Sequence, residues 1–285
     1  MTPTLVRQNL PHAGPKPRVD LRARARDWSE IQERMLVPLY EAVHERLAVG
    51  SGTRLLGLGC GSGLALLMAA SRGAAVTGVD AGRAERLALA RDRLLPRAWA
   101  APAPGGAHLV DGSPRDVRHA RVPAFGLVTA FEPIGCLAGD AEDLVGLLAE
   151  AAPLAERGAS VVLAGWGPPE RCATSSVLRV ATKLAEPLRS PGGWRPARRD
   201  DLEEVAQRAG LVPDGSGRVA CPFGYADADS ALRGLLSTGL FDAAIGATDQ
   251  AQVDKEVKEA LHPHQRADGT VWMPNVFRYL IARVP

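Results

Sequence analysis

The stretch Leu56-Gly57-Leu58-Gly59-Cys60-Gly61-Ser62-Gly63 decides the fold, because it places alternate glycines directly after a short apolar run. The apolar run begins at Arg54 and has the length of a buried strand, and the segment from Leu64 to Ala70 has helical character. Glycine lets the chain turn tightly and lets a ligand approach the backbone, and the next helix adds free N–H groups. The stretch therefore predicts a strand, a ligand-binding turn and a helix.

The same alternation continues along the chain. Short apolar runs and helical patterns follow one another at 75–79, 84–95, 107–110, 125–130, 141–152, 160–164 and 201–209, and two further runs lie at 211–221 and 271–282. Strands that alternate with helices form parallel sheets, and continuous apolar strands are covered on both faces. We predict an α/β fold with a mostly parallel seven-stranded sheet flanked by helices.

Four segments lie outside this alternation. Residues 1–20 are rich in proline and aperiodic, and we expect a flexible tail. Residues 28–47 have the period of an amphipathic helix that Pro38 kinks or splits. We interpret 166–199 and 222–268 as insertions that cap the sheet, the second with helical patterns at 229–237 and 250–261. The expected organisation is one domain over 28–285.

Composition and charge exclude several classes of protein. The chain has 285 residues, with 34 Lys and Arg against 32 Asp and Glu, a balance that argues against nucleic-acid or acidic-membrane partners. Its four cysteines form no C-x-x-C pair, and His262 and His264 have no evident third ligand, so we expect no metal site. No apolar run reaches the ~18 residues of a membrane span. The Pro-rich N-terminus is no signal peptide, and we expect a cytoplasmic protein.

The spacing of the glycines separates two classes of cofactor. A dinucleotide fingerprint needs G-x-G-x-x-G, and here Ser62 or Leu64 stands in place of the third glycine. The spacing of Gly59, Gly61 and Gly63 instead resembles the G-x-G-x-G loop of class I S-adenosylmethionine-dependent methyltransferases, and the resemblance covers about 28–285. It implies a Rossmann-like fold, S-adenosylmethionine as cofactor, S-adenosylhomocysteine as product, and in-line methyl transfer to a small-molecule acceptor. A plain tight turn is the alternative.

Further stretches are similar to bacterial members of that family linked to natural-product biosynthesis. These are Trp28…Gln32-Glu33…Pro38-Leu39-Tyr40-Glu41-Ala42-Val43, Trp166-Gly167-Pro168-Pro169 and Cys221-Pro222-Phe223. Trp166 is expected either to line an acceptor pocket or to pack in the core. The acceptor atom, whether O, N or C, stays open, and a homodimer is an open expectation.

The resemblance also implies a set of cofactor-binding residues: Gly59, Cys60, Gly61, Gly63, Asp80, Ala81, Asp111, Gly112, Ser113 and Phe131. Asp80 ends the second strand, 19 residues after Gly61, where a carboxylate can accept hydrogen bonds from both ribose hydroxyls. Its alternative role is a helix N-cap. Asp111 ends the third strand, where members of the family bind the adenine amino group, and its alternative is an Asp-Gly turn.

One departure from the family pattern affects the amino-acid end of the cofactor. Members usually carry an acidic residue two positions before the first loop glycine, and this chain has Gly57 there. Glu132 or backbone carbonyls near Gly59 could replace the missing carboxylate.

The candidate catalytic residues are Glu132, His119 and Tyr40. Glu132 is a candidate base or ammonium partner, or else a solvated loop carboxylate. His119 lies in a polar stretch typical of a surface. Tyr40 could close the site from the N-terminal helix, as in many relatives, or pack in the core.

Two other functions remain open at this stage. A non-methylating descendant of the fold, either a cyclase or a binding scaffold, is kept by Gly57 and by the lack of a clear base. A nicotinamide oxidoreductase is disfavoured by the glycine spacing and by the lack of a recognisable Tyr-x-x-x-Lys pair.

Overall fold

The structure is a computed structural model, which describes residues 20–95, 106–117, 124–136, 139–185 and 197–285. Nine strands are described: β1 Arg54–Leu58, β2 Ala75–Asp80, β3 Ala107–Asp111, β4 Phe125–Ile134, β5 Ala155–Trp166, β6 Val212–Ala220, β7 Phe223–Tyr225, β8 Val271–Met273 and β9 Val276–Arg283. Seven of them form one sheet in the order β3-β2-β1-β4-β5-β9-β6. The first five strands in this order, β3, β2, β1, β4 and β5, are parallel, and β9 is antiparallel to β5 and β6. The predicted fold class is confirmed.

Helices cover both faces of this sheet. They are α1 Leu21–Asp27, α2 Val37–Arg46, α3 Leu64–Ser71, α4 Ala84–Leu94, α5 Pro114–Val117, α6 Asp140–Ala151, α7 Thr174–Ala185, α8 Asp201–Arg208, α9 Ala228–Ser237, α10 Asp242–Ala247 and α11 Gln250–Leu261. Successive strand residues enter opposite layers: Leu163 packs with α6 and α8, and Val162 packs in the layer of α2, α3 and α7. Among the described residues, none of the helices combines the length and apolar character that crossing a membrane requires.

The N-terminal segment is divided further than the kinked or split helix predicted for residues 28–47. Helical structure begins at Leu21, and the chain then passes through a π-helical turn over Trp28–Gln32 and a 3-10 turn over Glu33–Leu36. Pro38 lies in the first turn of α2, where its missing N–H breaks no helical hydrogen bond. The predicted flexible tail, residues 1–20, falls outside the described residues except for Asp20, which caps α1.

The end of the chain also differs from the sequence prediction. Residues 271–282 were expected to form one strand, but β8 leaves the main sheet and pairs with β7, whereas β9 continues the sheet. The break falls at Pro274, which has no N–H to donate to a strand ladder. Beside it the buried Asn275 accepts a hydrogen bond from the backbone N–H of Thr174 through Oδ1 at 3.1 Å.

Helices form in both segments that the sequence analysis interpreted as caps. The patterns at 229–237 and 250–261 correspond to α9 and α11. The segment 166–199 contains α7, which packs against α10 and α11. α9 packs against the N-terminal turn Trp28–Gln32, which precedes the sheet, and α11 packs against α9.

A pair of glycines brings α3 close to the middle of the sheet. Gly57 on β1 and Gly78 on β2 are direct partners in the parallel register. A Cβ atom on Gly57 would lie 2.9 Å from Leu66 Cδ2, and one on Gly78 would lie 2.6 Å from Leu66 Cδ1. Leu66 of α3 therefore packs into the space that two missing side chains leave.

We predict that Gly78→Ala destabilises the protein by ~1–3 kcal/mol, because the added methyl overpacks the core against Leu66 and Leu109. The matched control is Gly146→Ala within α6, where a Cβ would meet nothing within 4 Å. This control should gain ~0.5–1 kcal/mol from its helix position. Urea unfolding of both variants measures the difference, and a Gly78→Ala protein as stable as the wild type would contradict the packing argument.

Candidate functional site

The glycine loop between β1 and α3 is left-handed at three positions. Gly59, Gly61 and Gly63 have φ angles of 58°, 58° and 79°. The three have different surroundings: a Cβ on Gly63 would lie 2.9 Å from the Cβ of Ala90 on α4. Gly63, predicted as a cofactor contact, therefore serves the packing of α3 against α4, and Gly59 and Gly61 face the cavities.

Asp80 at the end of β2 lies against this loop. Its side chain is 4% exposed, and Oδ2 accepts a hydrogen bond from the Gly61 backbone N–H at 2.8 Å. Burial raises the pKa of Asp80 to about 6, although Arg83 and the Gly61 N–H oppose that rise. The N-cap alternative is wrong, because Arg83 rather than Asp80 occupies the N-cap position of α4.

Two cavities meet at Gly59. The inner pocket has a cavity volume of about 30 Å³ and is lined by Trp28, Glu33, Leu36, Tyr40, Gly57, Leu58, Gly59, Cys60, Gly61, Ala65, Leu66, Arg83, Thr129, Phe131 and Glu132. The outer pocket measures about 360 Å³ and is lined by Leu58, Gly59, Val79, Asp80, Ala81, Arg83, Gly112, Ala130, Glu132, Pro133, Ile134, Cys136, Asp140, Asp143, Leu144, Leu147 and Leu240. Leu58, Gly59, Arg83 and Glu132 line both pockets, and we call these four residues the partition.

The partition contains an ion pair. Arg83 donates to both carboxylate oxygens of Glu132, each at 2.8 Å. A Cβ on Gly59 would lie 3.4 Å from Glu132 Oε2, so the carboxylate lies directly over the loop. The two side chains are 36% and 49% exposed, and solvent therefore screens the pair.

A second ion pair anchors the N-terminal segment on the glycine loop. Glu33 is 3% exposed, and its Oε2 accepts hydrogen bonds from Arg93 Nη1 at 2.9 Å and from the Ser62 hydroxyl. The same guanidinium donates to the backbone oxygen of Ser62 at 2.9 Å and to Ser29 Oγ at 2.5 Å. One arginine of α4 thus connects the turn 28–36 with the loop.

Aromatic side chains complete the wall of the inner pocket. Tyr40 contacts Phe131 with ring centroids 4.9 Å apart, and His44 contacts Phe131 edge-on at 5.9 Å. Burial, with Glu33 nearby, raises the pKa of Tyr40 well above its usual range, so its phenol keeps its proton. Burial and Arg72 lower the pKa of His44 to about 4, which leaves its ring neutral.

Trp28 also lines the inner pocket. The guanidinium of Arg86 lies 4.0 Å from the centroid of the Trp28 ring and donates through Nη2 to the backbone oxygen of Ser237 at 2.7 Å. The indole Nε1 is buried and has no hydrogen-bond partner in the described part of the chain. A donor that is buried without a partner costs free energy unless a ligand accepts from it.

The other predicted site residues are distributed as follows. Cys60 lines the inner pocket, where burial and Asp80 raise the pKa of its thiol to about 12. Ala81 and Gly112 line the outer pocket, whereas Asp111 is exposed next to Gly112. The Ser113 N–H donates to Asp116 Oδ2 at 2.8 Å. His119 lies outside the described residues. Trp166 packs against Phe277 at 4.6 Å and lines neither pocket.

Sequence reasoning missed five polar or aromatic residues of the site: Trp28, Glu33, Ser62, Arg83 and Arg93. A signal for one of them was present. Glu33 occurs on the same helical stripe as Leu36 and Tyr40, where a charged residue among apolar ones is buried and needs a partner. For metal binding, the described residues contain no group of three or more His, Cys, Asp or Glu side chains that could form a site.

We predict that Asp80 makes the protein less stable as pH rises. The pKa of Asp80 is about 6 in the folded chain against an ordinary 3.8, so the folded chain binds the proton more tightly than the unfolded chain. Proton binding therefore adds to the free energy of unfolding at low pH, and this contribution is lost between pH 4 and pH 7. In Asp80→Asn that loss is absent. Unfolding free energies at pH 4 and pH 7 should show a wild-type decrease that exceeds the variant's by ~2–3 kcal/mol. Parallel pH profiles would contradict a buried, ionisable Asp80.

Comparison with known proteins identifies the fold. No protein-family model matches the sequence, and no curated protein matches it. A candidate methyltransferase from Bacillus halodurans has a TM-score of 0.52 at 13% identity, over 86% of this chain and 98% of that one. YjhP from E. coli has a TM-score of 0.51 at 17% identity, over 92% and 99%. The [4+2]-cyclase SpnF has a TM-score of 0.50 at 16% identity, over 87% and 80%. The chain shares the Rossmann-like fold of these solved structures.

Proposed function

We propose that the protein transfers a methyl group from S-adenosylmethionine to a small-molecule acceptor. The observation that carries this proposal is the junction of the two pockets at Gly59, with the buried Asp80 carboxylate on the loop that turns there. The outer pocket has the size for a nucleoside, and the charged residues of the inner pocket, Glu33, Arg83 and Glu132, suit a polar group beside it. The fold likeness supports the proposal, and the identities of 13–17% leave the activity to experiment.

The residues of the outer pocket suit a nucleoside. Asp80 and Ala81 lie at the end of β2, and Asp80 offers a carboxylate that can accept from ribose hydroxyls. Ile134, Leu144 and Leu240 give the pocket an apolar wall of the kind that a flat base requires. Asp111 and Ser113 stay proposed partners of the base edge, because the strand end that carries them reaches the pocket through Gly112.

The cofactor would supply the electrophile, a methyl group on a sulfonium sulfur, and S-adenosylhomocysteine would remain after transfer. The protein orients the reactants and excludes water. Tyr40 and Phe131 form an apolar wall beside the loop, and Glu132 lies where the pockets meet. Glu132 is therefore the proposed base for an acceptor that arrives protonated, once its carboxylate is free of Arg83. Tyr40, whose phenol keeps its proton, acts as a wall or a donor.

We also propose that the small-molecule acceptor belongs to natural-product biosynthesis. Helix α9 packs against the N-terminal turn, and Leu240, between α9 and α10, lines the outer pocket. Covering segments of this kind supply the enclosed space that a small acceptor needs.

A second candidate function is a reaction without methyl transfer. SpnF, a [4+2]-cyclase, has the same fold at a TM-score of 0.50. In this chain the proposed base Glu132 is engaged by Arg83, which is consistent with a site that binds the cofactor as a scaffold. A chain that binds S-adenosylmethionine and leaves it unconsumed in the presence of acceptors would favour this function.

The test is calorimetric titration of the purified protein, freed of bound cofactor, with S-adenosylmethionine, S-adenosylhomocysteine and NAD. We expect micromolar binding of the two sulfur ligands and no binding of NAD. An acceptor screen by mass spectrometry then follows methyl incorporation. Binding of NAD, or of none of the three ligands, would overturn the proposal.

We predict that Gly61→Ala weakens S-adenosylhomocysteine binding by more than about tenfold, because the new methyl enters the loop at its ligand face. Its Cβ would stand 3.3 Å from both Glu33 Oε1 and Trp28 Nε1. Gly210→Ala is the matched control, since Gly210 also has a positive φ, 71°, and its Cβ would meet nothing within 4 Å. Both variants share the backbone strain, so equal affinities in calorimetry would show that the loop does not face the ligand.

A further inference from the structure

The inner pocket has no side chain at position 57 and contains the carboxylate of Glu33. An acidic side chain at position 57 would have to displace Leu66, because its Cβ would lie 2.9 Å from Leu66 Cδ2. The carboxylate of Glu33 enters the same pocket from the turn ahead of α2. Its Oε2 is engaged by Arg93 and Ser62, whereas its Oε1 lies 3.3 Å from the Cβ position of Gly61. One oxygen is therefore anchored and the other faces the loop.

A donor converges on the same point. Trp28 Nε1 also lies 3.3 Å from the Cβ position of Gly61, and Arg86 fixes the indole from its face. That N–H is buried and has no hydrogen-bond partner among the described residues. A carboxylate oxygen and an indole N–H thus meet above one glycine that has no side chain to fill the space.

This pairing has the chemistry of a receptor for an α-amino acid group. An ammonium donates hydrogen bonds and needs an anionic acceptor, and a carboxylate needs donors. The Glu33–Arg93 pair is neutral overall, so a zwitterionic group adds no net charge to the buried site. The buried Trp28 Nε1 has no partner among the described residues, and the carboxylate of such a ligand supplies one. The ammonium of the ligand donates to Glu33 Oε1.

We infer that Glu33 and Trp28 bind the amino-acid end of the cofactor: Glu33 Oε1 accepts from its ammonium, and Trp28 Nε1 donates to its carboxylate. The inference rests on the proposed function. The N-terminal turn would then bind the amino-acid group that an acidic strand residue at position 57 would otherwise bind.

The test compares two ligands that share the adenosine thioether and differ in the amino-acid group. S-adenosylhomocysteine carries that group, and 5′-methylthioadenosine lacks it. Calorimetry on the full chain should give tighter binding of S-adenosylhomocysteine to the wild type. Glu33→Gln and Trp28→Phe should each weaken S-adenosylhomocysteine about tenfold, the scale of a lost charge-assisted hydrogen bond, and 5′-methylthioadenosine less than about twofold.

Trp28→Phe keeps a ring for Arg86, so it tests the donor in a protein that retains the local packing. The matched control for Glu33→Gln is Glu30→Gln, an exposed carboxyl on the same turn, which should leave both affinities unchanged. An equal loss for both ligands in Glu33→Gln and Trp28→Phe, or no loss for either ligand, would overturn the inference while the proposed function stands. A wild type that binds neither ligand would instead overturn the proposed function, and the inference with it.

Discussion

The buried contact between Glu33 and Arg93 is the constraint on which the site depends. A carboxylate that is 3% exposed is stable only with a partner, and loss of one member of such a pair costs ~3–5 kcal/mol. Arg93 also donates to Ser62 and Ser29, so the turn 28–36, the glycine loop and α4 share one guanidinium. The N-terminal turn therefore cannot leave the loop without exposing or orphaning charges. It is a fixed wall of the inner pocket.

The packing of Leu66 supplies a second constraint, and it acts on the same pocket. Because Leu66 fills the space over Gly57 and Gly78, α3 approaches the sheet closely and β1 carries no side chain at position 57. A carboxylate near the loop must then come from another element. The Glu33 turn is placed to supply it, so the two constraints together account for a charged residue on a stripe that otherwise packs apolar side chains.

Sequence patterns predicted the strands, helices and turns that neighbouring residues in the chain determine. Periodicity predicted the seven-stranded sheet, α9 and α11. The glycine spacing predicted the turn in which the Gly61 N–H donates a hydrogen bond to Asp80. The patterns failed where contacts between distant parts of the chain determine the structure. The break at Pro274 depends on the contact of Asn275 with α7, which lies about a hundred residues earlier in the chain. The pairing of Glu33 with Arg93 joins residues 60 positions apart, and no local rule gives that partner.

The two ion pairs of the site differ in the free energy needed to separate them. Glu33 and Arg93 are largely desolvated, and their separation is costly, whereas Arg83 and Glu132 are 36% and 49% exposed and exposed pairs contribute only ~0–1 kcal/mol. Arg83 and Glu132 form part of the partition between the pockets, over Gly59. A ligand that extended through both pockets would lie against this contact. The site thus combines a buried, strongly held ion pair at the N-terminal turn with an exposed, weakly held ion pair in the partition.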